Sequence, residues 1–311
     1  GGQRGDAARC RKLDIAAYLT KPINQSELLD AIVTTLGGQA ALDREPRLVT
    51  RHSLREKRPR RHILLAEDNE VNQQVATRIL EKSGHRVTAA RTGREALALL
   101  DGGGIDLVLM DVQMPEMGGL EATAAIREKE KGTGTRVPII AMTAHAMKGD
   151  REQCIESGMD DYVSKPINAR DLLAAIERRF GEVAASPASP RPTEPSDKTF
   201  DRKEALSRVD GDDELLEQTV RLFLAECPVL LSEIRAAVEN REAARLQRAA
   251  HSLGGAAATL SAGRVTGAAL TMETIGRDMC IDRAPGALAV LEKEIARLMR
   301  AMTMFCKTAA A

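Results

Sequence analysis

The sequence predicts two folded parts: an α/β doubly wound domain on a five-stranded parallel sheet, followed by a separate all-α antiparallel helical bundle. Three observations carry this. Between residues 61 and 181, five short apolar runs alternate with stretches of helical period. The runs are continuous rather than alternating, as in strands covered on both faces. Beyond residue 198 strand-like runs cease, and long amphipathic patterns with short turns remain.

In the first part, His62-Ile63-Leu64-Leu65-Ala66 reads as a strand, and Asn69 to Lys82 as a helix on Val71, Val75, Ile79 and Leu80, closed by Ser83-Gly84. Arg86–Ala90 is the second strand and Gly93–Leu100 the next helix. Ile105–Met110 is a buried strand, with a helix over Gly119–Lys129. Val137–Ala141 is a strand with its proline near the start, where a missing N–H costs least. A helix over Ala146–Ser157, a strand over Asp161–Ser164 and a helix over Ala169–Arg179 complete the set. In the second part, helices are expected over Asp201–Val209, from Asp212 and Asp213 past Pro228 to Val238, and over Glu242–Leu260, Arg264–Gly276 and Pro285–Phe305.

Composition narrows the classes. The 311 residues allow about two domains. Formal net charge is zero, so no global charge points to nucleic acid or an anionic membrane. Aromatics are 2 % with no Trp, which disfavours stacking platforms for single strands. Cys10, Cys154, Cys227, Cys280 and Cys306 are scattered and never spaced C-x-x-C. That argues against disulfide or zinc frameworks and for reduced, buried thiols in a cytoplasmic protein. No apolar run reaches the roughly 20 residues of a membrane span.

An internal repeat organises the first half. Gly5-Asp6, Cys10, Tyr18, Lys21-Pro22-Ile23-Asn24 and Leu28-Leu29 recur as Gly149-Asp150, Cys154, Tyr162, Lys165-Pro166-Ile167-Asn168 and Leu172-Leu173, each 144 positions on. Residues 1–37 therefore read as the C-terminal remnant of a first copy, 61–181 as a complete second copy, and the chain as part of something longer. Such a remnant, lacking its sheet partners, is expected to be poorly ordered or docked opportunistically. Residues 38–60, rich in Arg and Lys, read as a basic linker, and 182–199, rich in Pro and Ser, as an extended tether. Residues 200–306 form the helical part.

In doubly wound sheets ligands bind beyond the carboxyl ends of the strands. The first strand ends in Glu67-Asp68, the third in Asp111, the fourth in Thr143 and the fifth in Lys165-Pro166. A lone Asp at a strand end is more often a turn or helix cap. Three carboxylates converging with a lysine opposite are different: they call for a hard divalent cation such as Mg²⁺, and make a site for a phosphoryl group. Thr143 is placed to hydrogen-bond a phosphoryl oxygen.

Residues 61–181 resemble a response-regulator receiver domain, of flavodoxin-like fold. Leu64-Leu65-Ala66-Glu67-Asp68-Asn69, Met110-Asp111-Val112-Gln113-Met114-Pro115-Glu116-Met117-Gly118-Gly119, Ala141-Met142-Thr143-Ala144 and Lys165-Pro166 carry the resemblance. It implies phosphorylation of Asp111 and Mg²⁺ held by Glu67, Asp68, Asp111 and the backbone carbonyl of Gln113. It also implies Thr143 and Tyr162 as the switch pair, Lys165 as the phosphate-contacting lysine, and a cis Lys165-Pro166 bond.

In the helical part, Ala249-Ala250-His251-Ser252-Leu253-Gly254-Gly255-Ala256 sets a histidine among small residues. Glycines cost roughly 1 kcal/mol each inside a helix, so Gly254 and Gly255, beside His251 on one face, suggest clearance for a partner. An imidazole is largely neutral near pH 7 and can act as a nucleophile. The region resembles a histidine phosphotransfer (HPt) domain, whose pattern is His-x-Leu-Lys-Gly. His251, Leu253 and Gly255 match, and Gly254 stands where the family usually has Lys.

The order receiver, linker, HPt resembles the C-terminal part of a hybrid sensor histidine kinase. It implies that an upstream histidine kinase domain, outside this chain, charges Asp111. Asp111 then exchanges phosphate with His251, and His251 with a separate response regulator. No Gly-rich nucleotide loop is present, so phosphotransfer rather than ATP-dependent kinase activity is expected. An Asp-nucleophile phosphohydrolase is disfavoured by Gln113, where a second Asp is wanted. A non-catalytic interaction module is disfavoured by the complete Glu67, Asp68, Asp111, Thr143 and Lys165 set. A DNA-binding regulator is disfavoured by the lack of a basic recognition helix.

Overall fold

The computed structural model describes residues 15, 17–18, 32, 49–50, 60–132, 134–144, 148–180 and 198–309. The chain divides into two units, Gly1–Arg60 and Arg61–Ala311. In the first, β1 (Ala17–Tyr18) pairs in parallel with β2 (Val49–Thr50). The second of these falls in the stretch read as linker, where β-branched Val49 and Thr50 favour an extended backbone. Most of the expected first-copy remnant and residues 181–197 of the Pro/Ser-rich tether lie outside the described residues.

The second unit begins with β3 (His62–Ala66), α1 (Glu70–Lys82), β4 (Arg86–Ala90), α2 (Gly93–Asp101), β5 (Leu107–Asp111) and α3 (Gly119–Glu130). It continues with β6 (Ile139–Thr143), α4 (Lys148–Glu156), β7 (Asp161–Ser164) and α5 (Ala169–Arg179). The strands form one parallel sheet in the order β4-β3-β5-β6-β7. Two strands start later than the apolar runs suggest. At β6 the N–H of Val137 is taken by the Glu130 carboxylate at 2.7 Å, and Pro138 has none to give to a ladder. At β5 Leu107 is the first strand residue, after Ile105 and Asp106.

The sheet is covered on both faces, and its side chains sort by parity. Ile63, Leu65, Leu107, Leu109, Ile140 and Met142 join one core with α1 and α5. Leu64, Ala66, Val108, Met110, Ile139 and Ala141 join the other with Ala96, Ala122 and Ile126 of α2 and α3.

The helical part comprises α6 (Arg202–Arg208), α7 (Asp213–Glu239), α8 (Ala243–Thr259), α9 (Gly263–Arg277), a 3₁₀ turn (Ile281–Arg283) and α10 (Ala284–Ala309). Asp201 and Asp212 cap α6 and α7 by accepting from backbone N–H groups. The helix α7 passes through Pro228 without a break. The α1 face of the sheet and the helical bundle share one continuous apolar core. Cys154 and Cys227 are buried as expected, but Cys280, in the turn after α9, is exposed and Cys306 half-buried. Among the described residues no helix is long and apolar enough to cross a membrane.

Candidate functional site

Every strand-end residue singled out from the sequence lies at the carboxyl edge of the sheet. Glu67 follows β3 and is fully buried, Asp111 closes β5 at 1 % exposure, and Thr143 closes β6. Carboxylate oxygens of Glu67, Asp68 and Asp111 all lie within 4.8 Å of one another. The Lys165 ammonium sits 2.5 Å from Asp111 Oδ2 and 2.7 Å from Glu67 Oε2. It follows β7, and the Lys165-Pro166 bond is cis. The N–H of Gln113 donates to Asp111 Oδ1 at 3.1 Å. Tyr162 is half-buried on β7 and packs with the α3-side core.

The start of α3 is pressed against the Asp111 backbone. A Cβ at Gly119 would lie 2.0 Å from the Asp111 carbonyl oxygen, so only glycine lets the loop between β5 and α3 close here.

Burial pushes the carboxyls of Glu67, Asp68 and Asp111 above the ordinary carboxylate range, and Lys165 opposes that shift in each. Burial would likewise push the Lys165 ammonium toward neutrality, but Asp111 and Glu67 beside it outweigh this and raise its pKa. One ammonium thus faces three carboxyl groups. The donor set is all oxygen, three carboxyls against one ammonium, which suits a hard divalent cation.

His251 lies on α8, with its side chain 13 % exposed. Its Nδ1 is 3.0 Å from Oε1 of Glu273, a buried acid on α9. A carboxylate can only accept, so Nδ1 carries the proton and Nε2 keeps the lone pair. Burial alone would lower the His251 pKa, but the hydrogen bond and charge of Glu273 outweigh it and raise it above its ordinary value.

Asp111 and His251 line one crevice of about 320 Å³, together with Gln113, Leu120, Thr143 and Cys154. That is about ten times a water's share of liquid volume, ample for a phosphoryl group. The crevice exists because α8 packs along the start of α1. Asn69 Nδ2 donates to the Ser252 carbonyl at 3.0 Å, and Thr259 Oγ1 donates to Asn72 Oδ1 at 2.8 Å. At the far end of α1, Lys82 pairs with Asp212 at 2.8 Å.

The glycines beside His251 differ in what they do. A Cβ at Gly255 would come 3.2 Å from Asn72 Nδ2, so clearance there lets α1 approach. A Cβ at Gly254 would meet only Ala269 Cβ at an ordinary 3.4 Å, so nothing in the packing demands glycine at that position. Sequence reasoning missed Glu273, Asn69, Asn72, Ser252 and Thr259. Glu273 left one signal: it is an acid within the buried stripe Val265, Ala269, Met272, Gly276 of α9.

Residues 63–177 match the response regulator receiver domain family, and residues 218–301 match the Hpt domain family. Sensor protein GacS of Pseudomonas syringae pv. syringae is 33 % identical over 243 residues, 76 % of this chain and 27 % of that protein. Hybrid signal transduction histidine kinase I of Dictyostelium discoideum is 50 % identical over 123 residues, 38 % of this chain and 7 % of that protein. Among solved structures, the receiver domain of sensor histidine kinase PA1611 from Pseudomonas aeruginosa PAO1 aligns with 42 % identity and a TM-score of 0.36. The alignment covers 40 % of this chain and 99 % of that one. The chain spans about a quarter of GacS and under a tenth of the Dictyostelium kinase. It carries a response regulator receiver domain followed by an Hpt domain, and over that stretch it is similar to hybrid sensor histidine kinases.

Proposed function

We propose that Asp111 accepts a phosphoryl group from an upstream kinase histidine and exchanges it with His251 of the same chain, which passes it to a separate response regulator. The observation that carries this is the single crevice lined by both Asp111 and His251.

In the forward step an Asp111 oxygen bonds to phosphorus as the donor's N–P bond breaks. In the second, the Nε2 lone pair of His251 bonds to phosphorus as the O–P bond to Asp111 breaks, returning a carboxylate. The ring then carries a positive charge, and Nδ1–H remains on Glu273, whose carboxylate balances it. Lys165 and the Thr143 hydroxyl face the phosphoryl oxygens, and Tyr162 completes the switch pair with Thr143. Glu67, Asp68, Asp111 and the Gln113 carbonyl would hold Mg²⁺, which neutralises charge on the transferring oxygens when bound. Direct transfer needs little beyond positioning and electrostatics, both of which the docked domains supply.

Residues 61–181 act in this reading as the receiver, 200–306 as the HPt domain, and 1–37 as the end of a preceding receiver. The chain works in the cytoplasm, and its partners are a histidine kinase domain and a response regulator.

Labelling with a small acyl phosphodonor and Mg²⁺ tests the assignment. Wild type should carry an acyl phosphate, labile in base, and a phosphohistidine, labile in acid. His251→Ala should keep only the first, and Asp111→Ala should carry neither. Full phosphohistidine in Asp111→Ala without an added receiver would overturn the proposed order.

A further inference from the structure

We infer that Asn72 and Thr259 are positioning residues through which docking of the HPt bundle orients the Glu67 carboxylate, so that bundle docking and divalent-cation binding reinforce one another. This rests on the cation reading of the Glu67, Asp68 and Asp111 cluster given above.

Three buried side chains lie in series between the bundle and the carboxylate cluster. Thr259, the last residue of α8, is 5 % exposed, Asn72 on α1 is 4 % exposed and Glu67 is fully buried. Thr259 Oγ1 donates to Asn72 Oδ1 at 2.8 Å, and Asn72 Nδ2 donates to Glu67 Oε1 at 3.0 Å. With Glu67 ionised, the amide takes the orientation that these contacts show. A carboxylate only accepts, so the NH₂ faces Glu67 and the carbonyl faces the bundle, where a hydroxyl must donate to it. The other Glu67 oxygen, Oε2, faces Lys165 at 2.7 Å. Both oxygens of this carboxylate are therefore directed, one by the receiver's own lysine and one through the bundle.

A second bridge runs beside the first. The Ser252 carbonyl accepts from Asn69 Nδ2 at 3.0 Å, and Ser252 Oγ donates to Asp68 Oδ2 at 3.4 Å. Asn69 is the cap of α1, its Oδ1 accepting from the Asn72 N–H at 3.1 Å. Ser252, Gly255 and Thr259 share one face of α8 at helical spacing, and Gly255 leaves the room Asn72 Nδ2 needs. Two of the three clustered carboxylates are thus within two hydrogen bonds of the bundle. When the bundle leaves, Asn72 Oδ1 loses its donor and the amide loses the partner that fixes its rotation. A cation needing Glu67 in one orientation then binds less well. By linkage, the cation favours docking by the same factor.

The test measures Mn²⁺ binding to the full chain from the electron paramagnetic resonance signal of the free ion. Thr259→Val should weaken binding about five-fold, the effect of losing one buried hydrogen bond. Thr259→Ser, which keeps the hydroxyl, should bind as wild type. Asn72→Ala should weaken binding to a similar degree. The double variant Asn72→Ala/Thr259→Val should be no weaker than the worse single variant, because the residues act in series. Unchanged binding in Thr259→Val, failure of Thr259→Ser to restore it, or additive losses in the double variant would each overturn the inference. Asp68→Asn separates this from the underlying reading. If it binds Mn²⁺ as tightly as wild type, the cation assignment fails and the inference falls with it. If it loses binding while Thr259→Val does not, the inference alone fails.

Discussion

Replacing Glu273 by Gln should lower the maximum rate of transfer to His251 and shift its acid limb to lower pH. The Glu273 carboxyl accepts from Nδ1–H of His251 at 3.0 Å. A hydrogen bond to a charged group contributes about 1.5–3 kcal/mol net. That interaction strengthens as the ring gains positive charge on accepting phosphorus, so its loss should slow transfer about ten- to hundredfold. The same carboxylate outweighs burial and raises the His251 pKa. Glutamine keeps an acceptor for Nδ1–H but removes the charge. Burial then dominates, the pKa falls, and the neutral nucleophile persists at lower pH.

The stability sign follows from the same shift. The Glu273–His251 pair stabilises fully below the unfolded histidine value of about 6.5, and this is lost as pH rises through the raised folded value. Glu273→Gln should therefore destabilise the bundle more in mild acid than in mild base. The assay is rapid-quench single-turnover transfer from chain charged at Asp111, followed from about pH 5.5 to about pH 9, with thermal unfolding at the same values. An acid limb that stays in place, or moves to higher pH, would refute the role given to Glu273.

Other perturbations separate packing from chemistry. Gly254→Ala should stabilise the bundle by about 1 kcal/mol in chemical unfolding, since helix propensity improves and the added methyl meets only Ala269 at ordinary distance. Gly255→Ala gains the same propensity but crowds Asn72, so it should slow intramolecular transfer while the bundle itself is no less stable. Gly119→Ala should destabilise the receiver by several kcal/mol and abolish Asp111 labelling, because its Cβ would stand 2.0 Å from the Asp111 carbonyl oxygen. Removing Mg²⁺ with a chelator should abolish acyl phosphate formation, and restoring it should recover the label in full.

Much of the receiver was legible because its cues are local. Continuous runs such as Ile63–Ala66 and Leu107–Met110 read as buried strands, and Glu67, Asp68, Asp111, Thr143 and Lys165 each end a strand, where topology brings them together. The late starts of β5 and β6 were not legible, because side-chain and main-chain partners such as Glu130 at Val137 come from other elements. The helical part was readable as helices, and His251 as its reactive residue through the small residues around it, but the groups that hold His251 were not. Glu273 lies 22 residues from His251 on another helix, and no spacing rule joins them. The bridge from Thr259 to Asn72 spans 187 residues and two domains, so it exists only in the packed molecule. The exposure of Cys280 was missed for the same reason: cysteine is usually buried, and only the turn after α9 puts this one outside.

The central claim is that Asp111 and His251 of one chain exchange a phosphoryl group across the crevice they share. The most direct measurement charges Asp111 and follows the appearance of phosphohistidine over about a hundredfold range of protein concentration. A docked pair predicts a first-order rate that does not change with concentration. A rate proportional to concentration, or acyl phosphate that decays with no phosphohistidine formed, would contradict it.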